Sequence, residues 1–90
     1  MIDMNEMMKK AQELSETMKQ QQDELEKQVF TVSVGGEMVR MTFNGKQEAK
    51  SIEIDPEVVD AEDIETLQDL ILAAVNEGLR QSQKNMQNSL

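Results

Sequence analysis

Apolar residues recur at Met4, Met7, Ala11, Leu14, Met18 and Leu25, with alternating spacings of three and four once Gln21 fills the gap. That is an a/d seam of period 3.5, and it predicts a helix from about Asp3 to Gln28. Met8 widens the stripe at one end. No Gly or Pro interrupts the run, and Glu, Lys, Gln, Met and Leu are good helix formers. A helix of that length spans roughly 39 Å, longer than a small domain is wide. Part of it is therefore expected to protrude, with the end nearest Leu25 packing on the domain. Gln21, Gln28 and the methionines make the seam loose, suited to plastic packing rather than a rigid zipper.

Beyond residue 28 the period falls to two. A first strand is predicted over Val29 to Val34, with Phe30, Val32 and Val34 on one face and Thr31 and Ser33 on the other. Gly35-Gly36 supplies a tight turn. A second strand runs from about Glu37 to Phe43. Val39, Met41 and Phe43 share one face, and Met38, Arg40 and Thr42 the other. Asn44-Gly45 is a type I′ hairpin signal, leading to a third strand from about Lys46 to Ile54. There the apolar phase switches between Ala49 and Ile52, which a bulge near Lys50-Ser51 reconciles.

Asp55-Pro56 stops the third strand, with Asp55 as N-cap and Pro56 in a first helical turn. Asp60 is a second N-cap candidate, followed by Glu62, Asp63 and Glu65, whose charge suits a helix N-terminus. The helix that follows places Ile64, Leu67, Leu70, Ile71, Ala74, Val75 and Gly78/Leu79 on its core face. After Arg80 the apolar content collapses, so residues from about 81 to 90 form either a protruding helix end or a frayed tail. The pattern shows no repeat and no linker. The expectation is one α+β domain over residues 1–90, in the order α-β-β-β-α.

Composition narrows the chemistry. Ninety residues bury only about 60% of the unfolded chain's surface, so the fold needs support. There is no Cys and no His, which excludes disulfides and thiolate or imidazole metal sites. Oligomerisation is the remaining support. The apolar load, in both helices and on both sheet faces, is too large for one small core and points to a homodimer. The residues expected in the core or across the dimer are Met7, Ala11, Leu14, Met18, Leu25, Phe30, Val39, Met41, Phe43, Leu67, Leu70, Ile71 and Ala74. No run approaches the ~20 apolar residues of a membrane span, so no membrane partner is expected. The lack of Cys and of an apolar leader fits an intracellular chain.

Without His or Cys the usual nucleophile–base pairs are gone, so we expect no enzyme, no cofactor, no metal and no small-molecule substrate. The acidic run from Asp55 to Asp69 lacks the order and central Gly of a calcium loop and reads as helix capping plus a solvated face. Gly35-Gly36 precedes no Lys-Ser/Thr and no helix start, so it is no phosphate loop. The net charge of −9 is a poor basis for nucleic-acid binding unless charge is segregated on one face. With Phe30 and Phe43 the only aromatics, base stacking is not expected.

Four stretches in order are MMKKAQELSETMKQQQDEL, the hairpin MTFNG, the IEIDP break and EDIETLQDLILAAVNEGLR. Together they resemble the YbaB/EbfC family of bacterial nucleoid-associated proteins, over nearly the whole chain. The resemblance implies a tweezer-like homodimer with helices projecting from a sheet core. It implies binding of double-stranded DNA in the bacterial cytoplasm, at the nucleoid, with influence on nucleoid organisation or gene expression. Gly78 stands where a relative commonly has Ala, a cost of about 1 kcal/mol to the helix unless close packing requires it.

Charge selects Lys9, Lys10, Lys19, Arg80 and Lys84 as candidate DNA contacts, since phosphate neutralisation supplies most non-specific affinity. Lys46 sits by the hairpin tip, and Arg40 and Lys50 are expected on the outer sheet face. Glu6–Lys10, Glu16–Lys19 and Asp23–Lys27 have the spacing of exposed helix ion pairs. Only Arg40 and Arg80 could read a guanine bidentately, so little sequence preference is expected. A second reading is a protein–protein adaptor, whose Met-rich projecting helices grip a partner.

Overall fold

A computed structural model describes residues 3–88; the outermost residues of the predicted 1–90 domain and of its 81–90 end lie outside that range. Helix α1 (Met4–Lys27) is followed by strands β1 (Val29–Val34), β2 (Val39–Asn44) and β3 (Ala49–Ile54), a 3-10 turn at Pro56–Val58, and helix α2 (Ile64–Asn88). The order is the α-β-β-β-α expected from the pattern. The sheet is an antiparallel meander, β1-β2-β3.

Caps explain where the helices begin. Asp3 accepts a hydrogen bond from Asn5 N at the start of α1. Asp55 accepts one from Glu57 N at the 3-10 turn, with Pro56 following it. The N-cap of α2 is Asp63 rather than Asp60. Its carboxylate accepts from Thr66 N at 3.3 Å and from Thr66 Oγ1 at 2.7 Å. Asp60 instead closes the preceding turn, accepting from Glu62 N and, through its carbonyl, from Asp63 N. Two acidic residues three apart offer the same local signal, and the path of the incoming chain selects between them.

The register pairs Phe30 with Phe43, Val32 with Met41, and Val34 with Val39. Across β2–β3 it pairs Val39 with Ile54 and Met41 with Ile52, then shifts so that Phe43 faces Ala49. Lys50 is the extra residue, so the bulge lies where the phase switch put it. The strand ends differ from the pattern. β2 begins at Val39, because Gly35, Gly36 and Glu37 all adopt positive φ and make a four-residue loop. A Gly-Gly pair alone signals only a two-residue turn. Glu37 in the left-handed region leaves no sequence trace.

β3 begins at Ala49 rather than Lys46, and Asn44-Gly45 is not a type I′ turn. The positive φ falls on Gln47, whose N donates to Asn44 O in a three-residue loop. Gly45 is needed here for close approach. Its N donates to Leu25 O at 2.8 Å and Gln28 O at 3.0 Å, and a Cβ would stand 2.8 Å from Leu25 O. The last turn of α1 therefore sits directly on the hairpin.

α2 lies across β1 and β2. The core is Val32, Val39, Met41, Phe43 and Ala74, with Phe30, Val34, Ile54, Leu67, Leu70, Ile71 and Val75 packed partly buried around it. Phe30 and Phe43 stack at 6.0 Å. The other sheet face is polar: Thr31 bonds Thr42, and Arg40 pairs with Glu53 at 2.5 Å. The expectation of apolar load on both sheet faces is thus corrected to one face.

That face is not fully covered. Ile52 of β3 remains 44% exposed, as does Ile64, and Leu72 of α2 is 60% exposed. On α1, Met4, Met7, Met8, Leu14 and Met18 are all more than half exposed and Ala11 is exposed, while Leu25 is half-buried. The molecule measures 72 × 18 × 17 Å, with a radius of gyration of 19.7 Å. A compact domain of this length has about 12 Å. The difference is the projecting helix α1, pinned only at its last turn.

Candidate nucleic-acid interface

The two helices that carry the selected cations meet the same end of the sheet. α1 is held there by Gly45. α2 arrives there through Ser82, whose Oγ donates to Asn44 O and accepts from Gln47 N, both at 2.9 Å. Gln47 Nε2 also reaches Met86 Sδ at 3.3 Å. Ser82 is fully buried, and α2 stays helical to Asn88, so the stretch after Arg80 is ordered helix over its described length. A cleft of about 560 Å³ opens between the helix ends. Gln21, Glu24, Leu25 and Gln28 line one wall and Gln83, Met86 and Gln87 the other, with Gln47 between them. Side-chain amides of this kind can donate to phosphates or to base edges.

Lys9, Lys10 and Lys19 are exposed on α1, and Arg80 and Lys84 are exposed on α2. They do not form a single stripe. At 100° per residue, Lys9 and Lys10 point about 100° apart, and Lys19 is turned about 80° from Lys9 the other way. The helix ion pairs expected at Glu6–Lys10, Glu16–Lys19 and Asp23–Lys27 do not close. Among the described residues the ion pairs are Arg40–Glu53 and Arg80–Glu77. Exposed pairs gain too little to hold two long side chains in one geometry. Lys9, Lys10, Lys19 and Lys84 thus carry no ion-pair partner among the described residues, whereas Arg80 pairs within its own helix. Arg40 lies on the outer face bound to Glu53, and Lys50 occupies the bulge.

Charge is segregated along the molecule. Residues 53–79 hold nine carboxylates and no Lys or Arg, while the rest of the chain holds nine of each sign. The acidic block begins at the opposite end of the sheet from the cleft. There Asp55 N donates to Met38 O beside the β1–β2 loop, and Gly35 touches Leu70. The net charge of −9 therefore belongs to the half of the molecule that starts α2. The half bearing α1, the hairpin and the end of α2 is close to neutral.

The hairpin is stiffened by Asn44, which is fully buried. Its Oδ1 accepts from Lys46 N at 2.9 Å and Glu48 N at 3.1 Å, and its Nδ2 donates to Glu48 Oε1 at 2.9 Å. That hydrogen bond holds the Glu48 carboxyl below its ordinary value against an opposing effect of desolvation, with lesser help from Lys50 and Lys46. Asn44, Gly45 and Ser82 were not singled out as site residues from the sequence. The available signal was the row Ala74, Gly78 and Ser82, small residues four apart on one helix face, all of which are buried.

Among the described residues no group of three or more His, Cys, Asp or Glu could hold a metal ion, and no helix is long and apolar enough to cross a membrane.

The model of the YbaB/EbfC DNA-binding family matches residues 1–90. The chain is 47% identical to a nucleoid-associated protein of Thermoanaerobacter sp. (strain X514), over 92% of this chain and 75% of that one. It is 51% identical to one of Moorella thermoacetica, over 93% of this chain and 81% of that one. The fold is similar to the crystal structure of an uncharacterised protein from Helicobacter pylori, with a TM-score of 0.82 and 25% identity. That likeness covers 98% of this chain and 92% of the other.

Proposed function

The chain belongs to the YbaB/EbfC DNA-binding family, and on that premise we propose that it is a nucleoid-associated protein binding double-stranded DNA as a homodimer, with little sequence specificity. In that role it influences nucleoid organisation or gene expression in the cytoplasm. The observation that carries the reading is the charge segregation. Lys9, Lys10 and Lys19 of α1 and Lys84 of α2 project from the near-neutral half, and nine of the eighteen carboxylates, with no cation among them, lie in residues 53–79. The uncompensated charge of −9 then starts at the far end of the sheet, while α1 carries four lysines among six carboxylates. Dimerisation doubles every cation.

Surface area supports the homodimer. The chain exposes 7152 Å². A compact monomer of 10.2 kDa exposes about 5300 Å², leaving an excess of about 1800 Å². Obligate homodimers bury about 1000–2500 Å² per chain, so the excess matches one such interface. Ile52, Ile64 and Leu72 supply apolar surface for it, and the α1 stripe supplies more.

A gel-shift salt series tests the reading. Duplex DNA is expected to shift at low salt, with affinity falling steeply as salt is added. No binding at about 50 mM salt and micromolar dimer overturns it. The exposed methionines of α1 favour a second reading, an adaptor that grips a partner's apolar segment. That reading predicts salt-insensitive binding to protein and none to DNA.

A further inference from the structure

The β2–β3 hairpin bonds to both helices that carry the candidate DNA contacts. On one side Gly45 N holds the carbonyls of Leu25 and Gln28; on the other Ser82 Oγ is clasped between Asn44 O and Gln47 N. We propose that this hairpin is a bracket that sets the angle between α1 and the end of α2, with Gly45 and Ser82 as positioning residues for DNA binding. Its effect on affinity rests on the DNA-binding reading above; the geometry of the bracket does not.

The physical case is one of leverage. α1 is a rod of about 36 Å fixed at its last turn. Lys9 lies sixteen residues before Leu25, roughly 24 Å along the axis, so a 10° tilt at the clamp moves it by about 4 Å. That exceeds the tolerance of a hydrogen bond to a phosphate oxygen. A loosely held rod would lose contacts or the entropy of ordering them. The hairpin is built to resist such tilting. Asn44 spends its whole side chain bridging Lys46 N, Glu48 N and the Glu48 carboxylate, and it is fully buried. No buried side-chain nitrogen or oxygen among the described residues lacks a partner. The approach at Gly45 is to a backbone oxygen, which cannot yield without moving the helix end.

Gly45→Ala drives a Cβ against Leu25 O and displaces α1, while the core under α2 is untouched. Ser82→Ala removes both bonds on the other arm and leaves a better helix former in place. Because the chain has no cysteine, spin labels at Gln12→Cys and Gln87→Cys report the distance between the arms. Mixing with excess unlabelled chain leaves one labelled chain per dimer. Affinity and its salt slope are measured on the unlabelled proteins. Each variant is expected to shift or broaden the distance by several ångströms, and to weaken DNA binding about tenfold with a shallower salt slope. A distance unmoved in both variants overturns the bracket. A moved arm with unchanged DNA affinity overturns the positioning role. If the parent protein binds no DNA, the DNA reading fails, and the distances alone decide the bracket.

Discussion

Gly78 of α2 lies against the ring of Phe43 of β2, so closely that a Cβ on Gly78 would stand 1.9 Å from Phe43 Cε2. The glycine that weakens the helix is what lets α2 descend onto the sheet. Gly78→Ala gains about 1 kcal/mol of helix propensity but overpacks the core by about 1–3 kcal/mol. A net loss of stability is expected, read as a lower urea midpoint. Phe43→Leu in that background should recover part of the loss, as contacting residues couple. A raised midpoint for Gly78→Ala would contradict the packing.

Lys9, Lys10 and Lys19 are exposed and form no ion pair among the described residues, so their removal should not disturb the fold. Changing all three to Gln is expected to weaken DNA binding with a nearly unchanged melting temperature. Each lysine that meets a phosphate should take about 0.9 from the slope of log K against log salt. Unaltered affinity would move the site elsewhere.

Leu72 and Gln81 are nine residues apart, half a turn on the helix. Gln81 borders β1, so Leu72 is on the flank of α2 turned away from β1, where it is 60% exposed; Ile52 of β3 is also uncovered. Leu72→Glu should weaken a dimer that buries this flank, and sedimentation at low micromolar concentration should show monomer. If the parent itself sediments as a folded monomer there, the homodimer is refuted.

Glu48 gives a pH dependence of known sign. Its folded-state carboxyl is held below the ordinary value of 4.5, chiefly by Asn44 Nδ2. The stabilisation is therefore present above that value and lost as pH falls through the lowered one. Glu48→Gln should melt earlier than the parent at neutral pH, with the gap closing as pH falls through the lowered folded-state value. A gap that persists in acid would mean the hydrogen bond, not the charge, is what matters.

Local order was legible where a single element carries its own signal. The 3.5 period over Met4–Leu25 marked α1, alternation marked the strands, and the phase switch between Ala49 and Ile52 located the bulge at Lys50. Choices between equivalent residues were not legible. Asp63 and Asp60 are both good caps, and only the path into α2 chose between them. The three ion pairs drawn from i,i+3 and i,i+4 spacing on α1 did not form, because spacing permits a contact that solvent and entropy do not reward. Ser82 looked like part of a polar end because its partners lie 35 and 38 residues away.

The sequence by itself determined the elements, their order and the family, since these rest on periodicity and on turn and cap residues close along the chain. It also determined that nine carboxylates and no cation lie between residues 53 and 79. Only the tertiary structure decided that this block starts at the end of the sheet away from the cleft, and that one hairpin clasps both projecting helices. Those relations join residues far apart in the chain. They depend on how closely a glycine lets one backbone approach another, which no local pattern records.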